Sequence, residues 1–210
     1  MSFRETYKTI AENLLQRPLT DADGFSADDV NGGATKVGGQ LPLALRDYYS
    51  VVGRVGFNQA HNRLIEPDKL EVEEEAECLA VNDENQSVCT WGIKLAELSE
   101  EDPTAYCVQL GEEGSHSEEC SLSEFLVITM YLQACWGGLE HNGVHKRAKK
   151  AMPKIRKSWT KVVDHSGLVI WEHDGMLVSD MDEAFVLCSA NTEAAFKVLT
   201  KEYGFKPDKN

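Results

Sequence analysis

Three groupings of side chains in this sequence could do chemistry. His61 stands near Asn58 and Asn62, which could pair an imidazole base with amide partners. The run GEEGSHSEE brings together Glu112, Glu113, His116, Glu118 and Glu119, a set that could be imagined around a divalent metal. His141 and His145 are spaced i, i+4, as two ligands on one helical face would be. Each falls short of what its chemistry requires. No nucleophile motif lies beside His61, so a hydrogen-bonded structural histidine is the better reading. The acidic run matches no ligand spacing and reads as a solvated loop. Gly143, between His141 and His145, weakens a helical pair there. The Gly pairs Gly32-Gly33 and Gly38-Gly39 carry neither GK[ST] nor GxGxxG, so no phosphate loop is present and they read as flanking a flexible connection. The expectation is a protein that is not an enzyme, with no catalytic residue, metal or cofactor.

Charge says more than any single group. The chain has 210 residues and a formal net charge of −14. Between Glu66 and Glu124 lie 18 acids and two lysines, a local net of −16, so the remainder carries +2. Such a balance argues against general nucleic-acid or anionic-membrane binding and suits a basic protein partner, which it would attract at a high rate. The acids Glu73, Glu74, Glu75, Asp83, Glu84, Glu112, Glu113, Glu118 and Glu119, with Gln86, are the candidate contact residues. The opposite bias appears at 145–161, HKRAKKAMPKIRKSWTK, with eight Lys or Arg and no acid. This stretch is the best candidate for a linking or inserted segment in an otherwise single domain of residues 1–210. It reads as a solvated linker or helix, although it could also meet nucleic acid or an acidic patch of this same chain.

The elements that must position these residues follow from periodicity. Phe3, Tyr7, Ile10 and Leu14 share one helical face, and Leu41, Leu45, Tyr48, Tyr49 and Val52 form a second stripe behind Pro42. Ser26 before Asp28 and Asp29 reads as a capped helical turn. Residues 77–81, 87–93 and 105–110 are short, β-branched and aromatic, and read as strands. The first two flank Asn82-Asp83-Glu84-Asn85-Gln86, a polar hairpin tip of residues that tolerate turn geometry. Trp91, in the second strand, reads as core. Ser121 or Ser123 caps an apolar helix that runs to Trp136 and stops at Gly137-Gly138; it is expected to cross the sheet as the centre of the core. A second hairpin at 168–179 turns at His173-Asp174-Gly175, followed by a strand at 185–189 and a helix capped by Asn191 or Thr192. The class is α+β with a mostly antiparallel sheet flanked by helices. Six dispersed cysteines without CxxC read as buried thiols of a cytoplasmic protein, and no run reaches the length of a membrane span.

These motifs together carry a resemblance. GGQLPLALRDYYSVVGR, then Asn58, His61-Asn62-Arg63-Leu64, Pro67-Asp68-Lys69-Leu70, Glu84-Asn85-Gln86, Trp91-Gly92-Ile93 and Asp102-Pro103 follow one another in register. The order resembles the SUKH superfamily, a group of bacterial immunity proteins that also includes yeast regulators of cell-wall synthesis. The helix from Ser121 and the closing hairpin and helix are similar too. Cys89 and Thr90 stand where that family often carries an aromatic, and the basic segment is not a family feature. The resemblance implies an α+β, SUKH-like fold and a protein that binds another protein, many members neutralising a toxin domain such as a nuclease. A basic active-site surface occluded by the acidic face is the function this implies; a regulatory or scaffold adaptor is the alternative. The oligomeric state is left open.

Overall fold

The computed structural model describes residues 2–109, 111, 114–145, 150–181 and 185–208. The chain divides into two compact units, Met1–Thr9 with Leu19–Val127, and Ile10–Pro18 with Ile128–Asn210. Each unit holds one six-stranded sheet in which every pairing is antiparallel, so the α+β class is observed. Charge follows the same division. The first unit has 24 acids and 8 Lys or Arg, net −16; the second has 11 and 13, net +2. Among the described residues, no helix is long and apolar enough to cross a membrane.

Helix α1 (Phe3–Leu15) buries Tyr7 and Leu14 of the expected stripe together with Ala11, while Phe3 and Ile10 are half-buried. In α2 (Ala27–Lys36), Ser26 and Asp29 form the capping box: the Asp29 amide donates to the Ser26 hydroxyl at 3.1 Å and the Ser26 amide to the Asp29 carboxylate at 3.1 Å. Gly32 and Gly33 lie inside this helix rather than beside a flexible connection, which corrects the sequence expectation. The reason is tertiary, since a Cβ on Gly33 would sit 2.5 Å from the Pro67 carbonyl oxygen. A Cβ on Gly32 meets nothing within 4 Å. Neighbouring substitutions should therefore have opposite signs. In urea melts, Gly32→Ala is expected to stabilise by about 0.5–1 kcal/mol through helix propensity. Gly33→Ala is expected to destabilise by about 1–3 kcal/mol through overpacking; equal shifts would contradict this packing.

Helix α3 (Leu43–Val52) buries Leu45, Tyr48, Tyr49 and Val52. The Tyr48 hydroxyl donates to Asn58 Oδ1 at 2.7 Å, and Asn58 Nδ2 donates to the Val52 carbonyl at 2.7 Å. Tyr49 donates to the Ile65 carbonyl at 2.6 Å. Burial raises both phenols well above the usual range, so they act as donors and not as acids. Strands β1 (Arg63–Leu64), β2 (Val72–Glu73), β3 (Cys78–Asp83), β4 (Cys89–Lys94), β5 (Thr104–Gln109) and β6 (His116–Ser121) form the first sheet. Its order is β1-β3-β4-β5-β6, with β2 also on β3. The expected hairpin is β3–β4, but Asn82 and Asp83 belong to the strand, paired with Trp91 and Thr90. The tip is shifted to residues 84–88. A bulge between Ala80 and Asn82 faces Gly92, whose missing side chain lets the Leu79 carbonyl approach.

Helix α4 (Leu122–Gln133) starts at Ser121, whose amide donates to the Glu124 carboxylate at 3.0 Å. Only Glu124 in it is exposed, as its apolar composition requires. Beyond Gln133 the helix widens through Ala134–Gly138, with Gly137 at φ 110°, instead of continuing regularly to Trp136. In the second unit, the Ser189 hydroxyl takes up the Ala134 carbonyl at 3.1 Å and Trp136 Nε1 donates to Ser179 at 3.1 Å. Then come β7 (His141–His145), α5 (Met152–Ser158), β8 (Thr160–His165), β9 (Leu168–His173), β10 (Met176–Met181), β11 (Phe185–Ala190), α6 (Glu193–Glu202) and β12 (Lys206–Pro207), with sheet order β12-β7-β11-β10-β9-β8. The β9–β10 turn places Asp174 at φ 49° and Gly175 at φ 74°, the positive pair a two-residue hairpin loop needs. Thr192 caps α6, accepting from the Ala195 amide at 3.2 Å, while Asn191 donates to the Leu15 carbonyl at 2.7 Å.

Residues 146–149 of the basic segment lie outside the described residues. The rest is amphipathic: Met152, Ile155 and Trp159 enter the second unit's core, and Lys150, Lys154, Lys157 and Lys161 are exposed. Of the two readings, linker or helix, the helix holds as α5, and its apolar side is anchored by burial. Its charges face water because the apolar residues, at i, i+3 and i+7, take the inner face.

Candidate protein-binding groove

The described acidic candidates differ in their surroundings. Glu73, Glu74 and Glu75 do converge, because β2 ends at Glu73 and the chain turns back at once into β3. All three are exposed, and among the described residues none forms an ion pair with them. They rim a groove of about 410 Å³ whose floor includes Thr90, Val108 and Gln109 from β4 and β5. Thr90 pairs with Val108 and, on its other side, with Asp83, so these three share one sheet face. Nearby on that face Lys94 lies over the Tyr106 ring at 4.8 Å, and Tyr106 donates to Glu97 at 2.7 Å. That lysine is thus already occupied.

The remaining acidic candidates have other occupations. The Glu84 carboxylate folds back to accept from the Gln86 amide at 2.6 Å and the Val88 amide at 3.4 Å. Asp83 accepts from the Thr90 hydroxyl at 3.3 Å. Gln86 is exposed at the tip, beside Ser87 with φ 59°. Glu118 accepts from Trp91 Nε1 at 2.8 Å, and Trp91 lies against Phe125 at 5.8 Å on the face opposite the groove. Trp91 is therefore half-buried, with its polar edge answered by a carboxylate. Glu119 is exposed at φ 57°, and Glu112 and Glu113 fall outside the described residues. Both Glu118 and Glu119, with His116, belong to β6 and not to a loop, which corrects the sequence expectation.

The motif residues hold the fold around the groove. Asn85 donates to the His61 ring at about 3.1 Å from Nδ1, and its amide to Asn62 Oδ1 at 3.3 Å, which ties the tip to the 61–62 loop. Burial pushes the His61 imidazole below its usual range, with Glu84 opposing, so a neutral ring beside an amide is the favoured state. Asp102 accepts from the Ser123 amide and hydroxyl, both at 2.7 Å, and the Pro103 carbonyl accepts from Leu122 at 2.7 Å. These bonds fix the start of α4 beside β5. Ile93 is fully buried. His141 and His145 lie in β7, against Phe196 and Phe205 at 5.6 and 5.7 Å, where aromatic packing accounts for both. Among the described residues, no group of three or more His, Cys, Asp or Glu side chains is placed to hold a metal ion.

Sequence reasoning missed two parts of the site. Val88 is an apolar side chain 55% exposed at the hairpin tip, next to the groove-lining Ser87 and Cys89. The groove floor from Thr90 and Val108 is the outward set of two alternating strands, and only the strand register brings the two together. Taken together, the chain is an α+β protein of two antiparallel sheets, with an acidic groove on the more acidic unit. No family model, curated protein or solved structure matches it.

Proposed function

We propose that this chain is a non-enzymatic protein-binding module that uses the groove rim at Glu73, Glu74 and Glu75 to cover a basic surface of a partner protein. The observation that carries the reading is three exposed, unpaired carboxylates at one concavity, in a unit of net −16. Opposed potentials accelerate encounter and select against acidic competitors. The resemblance to the SUKH superfamily supports the immunity form of this reading: a cytoplasmic protein that neutralises a toxin domain. Nucleases hold phosphate with basic surfaces, so a nuclease toxin is the partner class this charge suits. The division into two units of opposite net charge favours a second reading, a regulatory or scaffold adaptor with a separate surface on each unit.

Charge reversal tests the proposal. The variant E73K/E74K/E75K should associate with the partner about tenfold or more slowly at low salt, with a flattened salt dependence. Unchanged association at low salt would remove this rim from the interface.

A further inference from the structure

Cys89 and Cys107 are neighbours in space whose thiol chemistry the binding reading does not use. Cys89 is paired across the ladder with Gln109, and Cys107 with Trp91. Pairing partners share a face and so do residues two apart, so the two thiols lie diagonally on the same side of β4 and β5. They are close enough to share a hydrogen bond. Cys89 is partly exposed at the start of β4, where it borders the groove from the Trp91 face, whereas Cys107 is buried beside it. The reactive position is thus open to a small solute, and the second thiol is shielded but within reach.

We propose that Cys89 and Cys107 form a modification site, a dithiol that hydrogen peroxide converts to a cross-strand disulfide. Cys89 sulfur attacks one peroxide oxygen, the O–O bond breaks, and the first water leaves with the thiol proton. Cys107 sulfur then attacks the resulting sulfenic acid; an S–S bond forms, the S–O bond breaks, and the second water leaves. The thiols lose two electrons and two protons, and the peroxide becomes two waters. The oxidant class follows from the surroundings: Glu73, Glu74 and Glu75 line the groove that Cys89 borders, and burial first, then Glu84 and Glu118, hold its thiol above the usual range. An anionic oxidant is repelled there and a neutral one is not. Relaxed disulfides need closer Cβ atoms than a diagonal pair normally has, so closure shifts β4 against β5.

The test is mass spectrometry on the full chain, reduced, exposed to hydrogen peroxide and then alkylated with N-ethylmaleimide. The expected result is a loss of two hydrogens, a linked Cys89–Cys107 peptide, and reversal by dithiothreitol. In C107S the reaction should stop at Cys89 sulfenic acid, trapped as its dimedone adduct. Half-buried Cys120, a thiol that burial also raises, to about 11, is the internal reference. Oxidation of Cys120 while Cys89 and Cys107 both stay alkylatable would overturn the proposal, as would a C107S chain that forms no adduct at Cys89. The result is read without a partner, so it stands or falls apart from the binding reading.

Discussion

Replacing Gly92 with alanine is expected to lower the unfolding free energy by about 3 kcal/mol, the upper end of ordinary overpacking costs. A Cβ built there would lie 2.2 Å from the Leu79 carbonyl oxygen and 3.0 Å from its carbon. The offending atoms are backbone, so no side chain can rotate away. Leu79 is also fully buried and paired with Ile93, the residue next to Gly92. Relief therefore means moving β3 against β4, which disturbs the bulge at Val81 and the groove floor at Thr90. Gly56→Ala is the control, because its Cβ meets nothing within 4 Å. Urea unfolding followed by circular dichroism checks both. A Gly92→Ala chain within about 0.5 kcal/mol of the parent would mean that the bulge is not as described.

Ile155→Ala is the second large effect, with an expected loss of about 2–5 kcal/mol. Ile155 is fully buried in the cluster that includes Trp171, Val178, Val186 and Leu199. The alanine leaves a cavity that the surrounding strands of one sheet cannot close. Lys154→Ala and Lys157→Ala on the same short helix should each stay within about 0.5 kcal/mol, since both side chains are exposed. The contrast decides what the basic segment is for. A small effect at Ile155 would return it to the status of a solvated connection.

Much of this architecture was legible in sequence, and the failures share a physical cause. The β3–β4 hairpin, the 173–175 turn and the caps at Ser26 and Thr192 are local: dihedral preference and short-range hydrogen bonds decide them. Strand β6 was not legible, because His116, Ser117, Glu118 and Glu119 show no apolar alternation and the irregular register at Glu119 breaks the period of two. It is an edge strand, where polar residues and a distortion are ordinary protection against further pairing. Gly32-Gly33 look flexible to any local rule, and only the Pro67 carbonyl explains a glycine inside α2. In the same way the charge of the 145–161 segment concealed Met152, Ile155 and Trp159.

For the candidate site, the sequence located the acids but could not sort them. Glu84 spends its carboxylate on its own turn and Glu118 on the Trp91 indole, whereas 73–75 remain exposed at the groove. Sorting requires partners brought by the fold: Glu118 is 27 residues from Trp91. The same holds for Asp102, which by position could have joined the acidic face but holds the first turn of α4 from 21 residues away.

The most direct test of the binding account is capture from native cells with the tagged chain, native and E73K/E74K/E75K in parallel, washed at low and then high salt. One stoichiometric basic protein is expected on the native chain, loosened by salt and lost from the charge-reversed chain. Equal recovery of the same proteins by both chains, indifferent to salt, would contradict it.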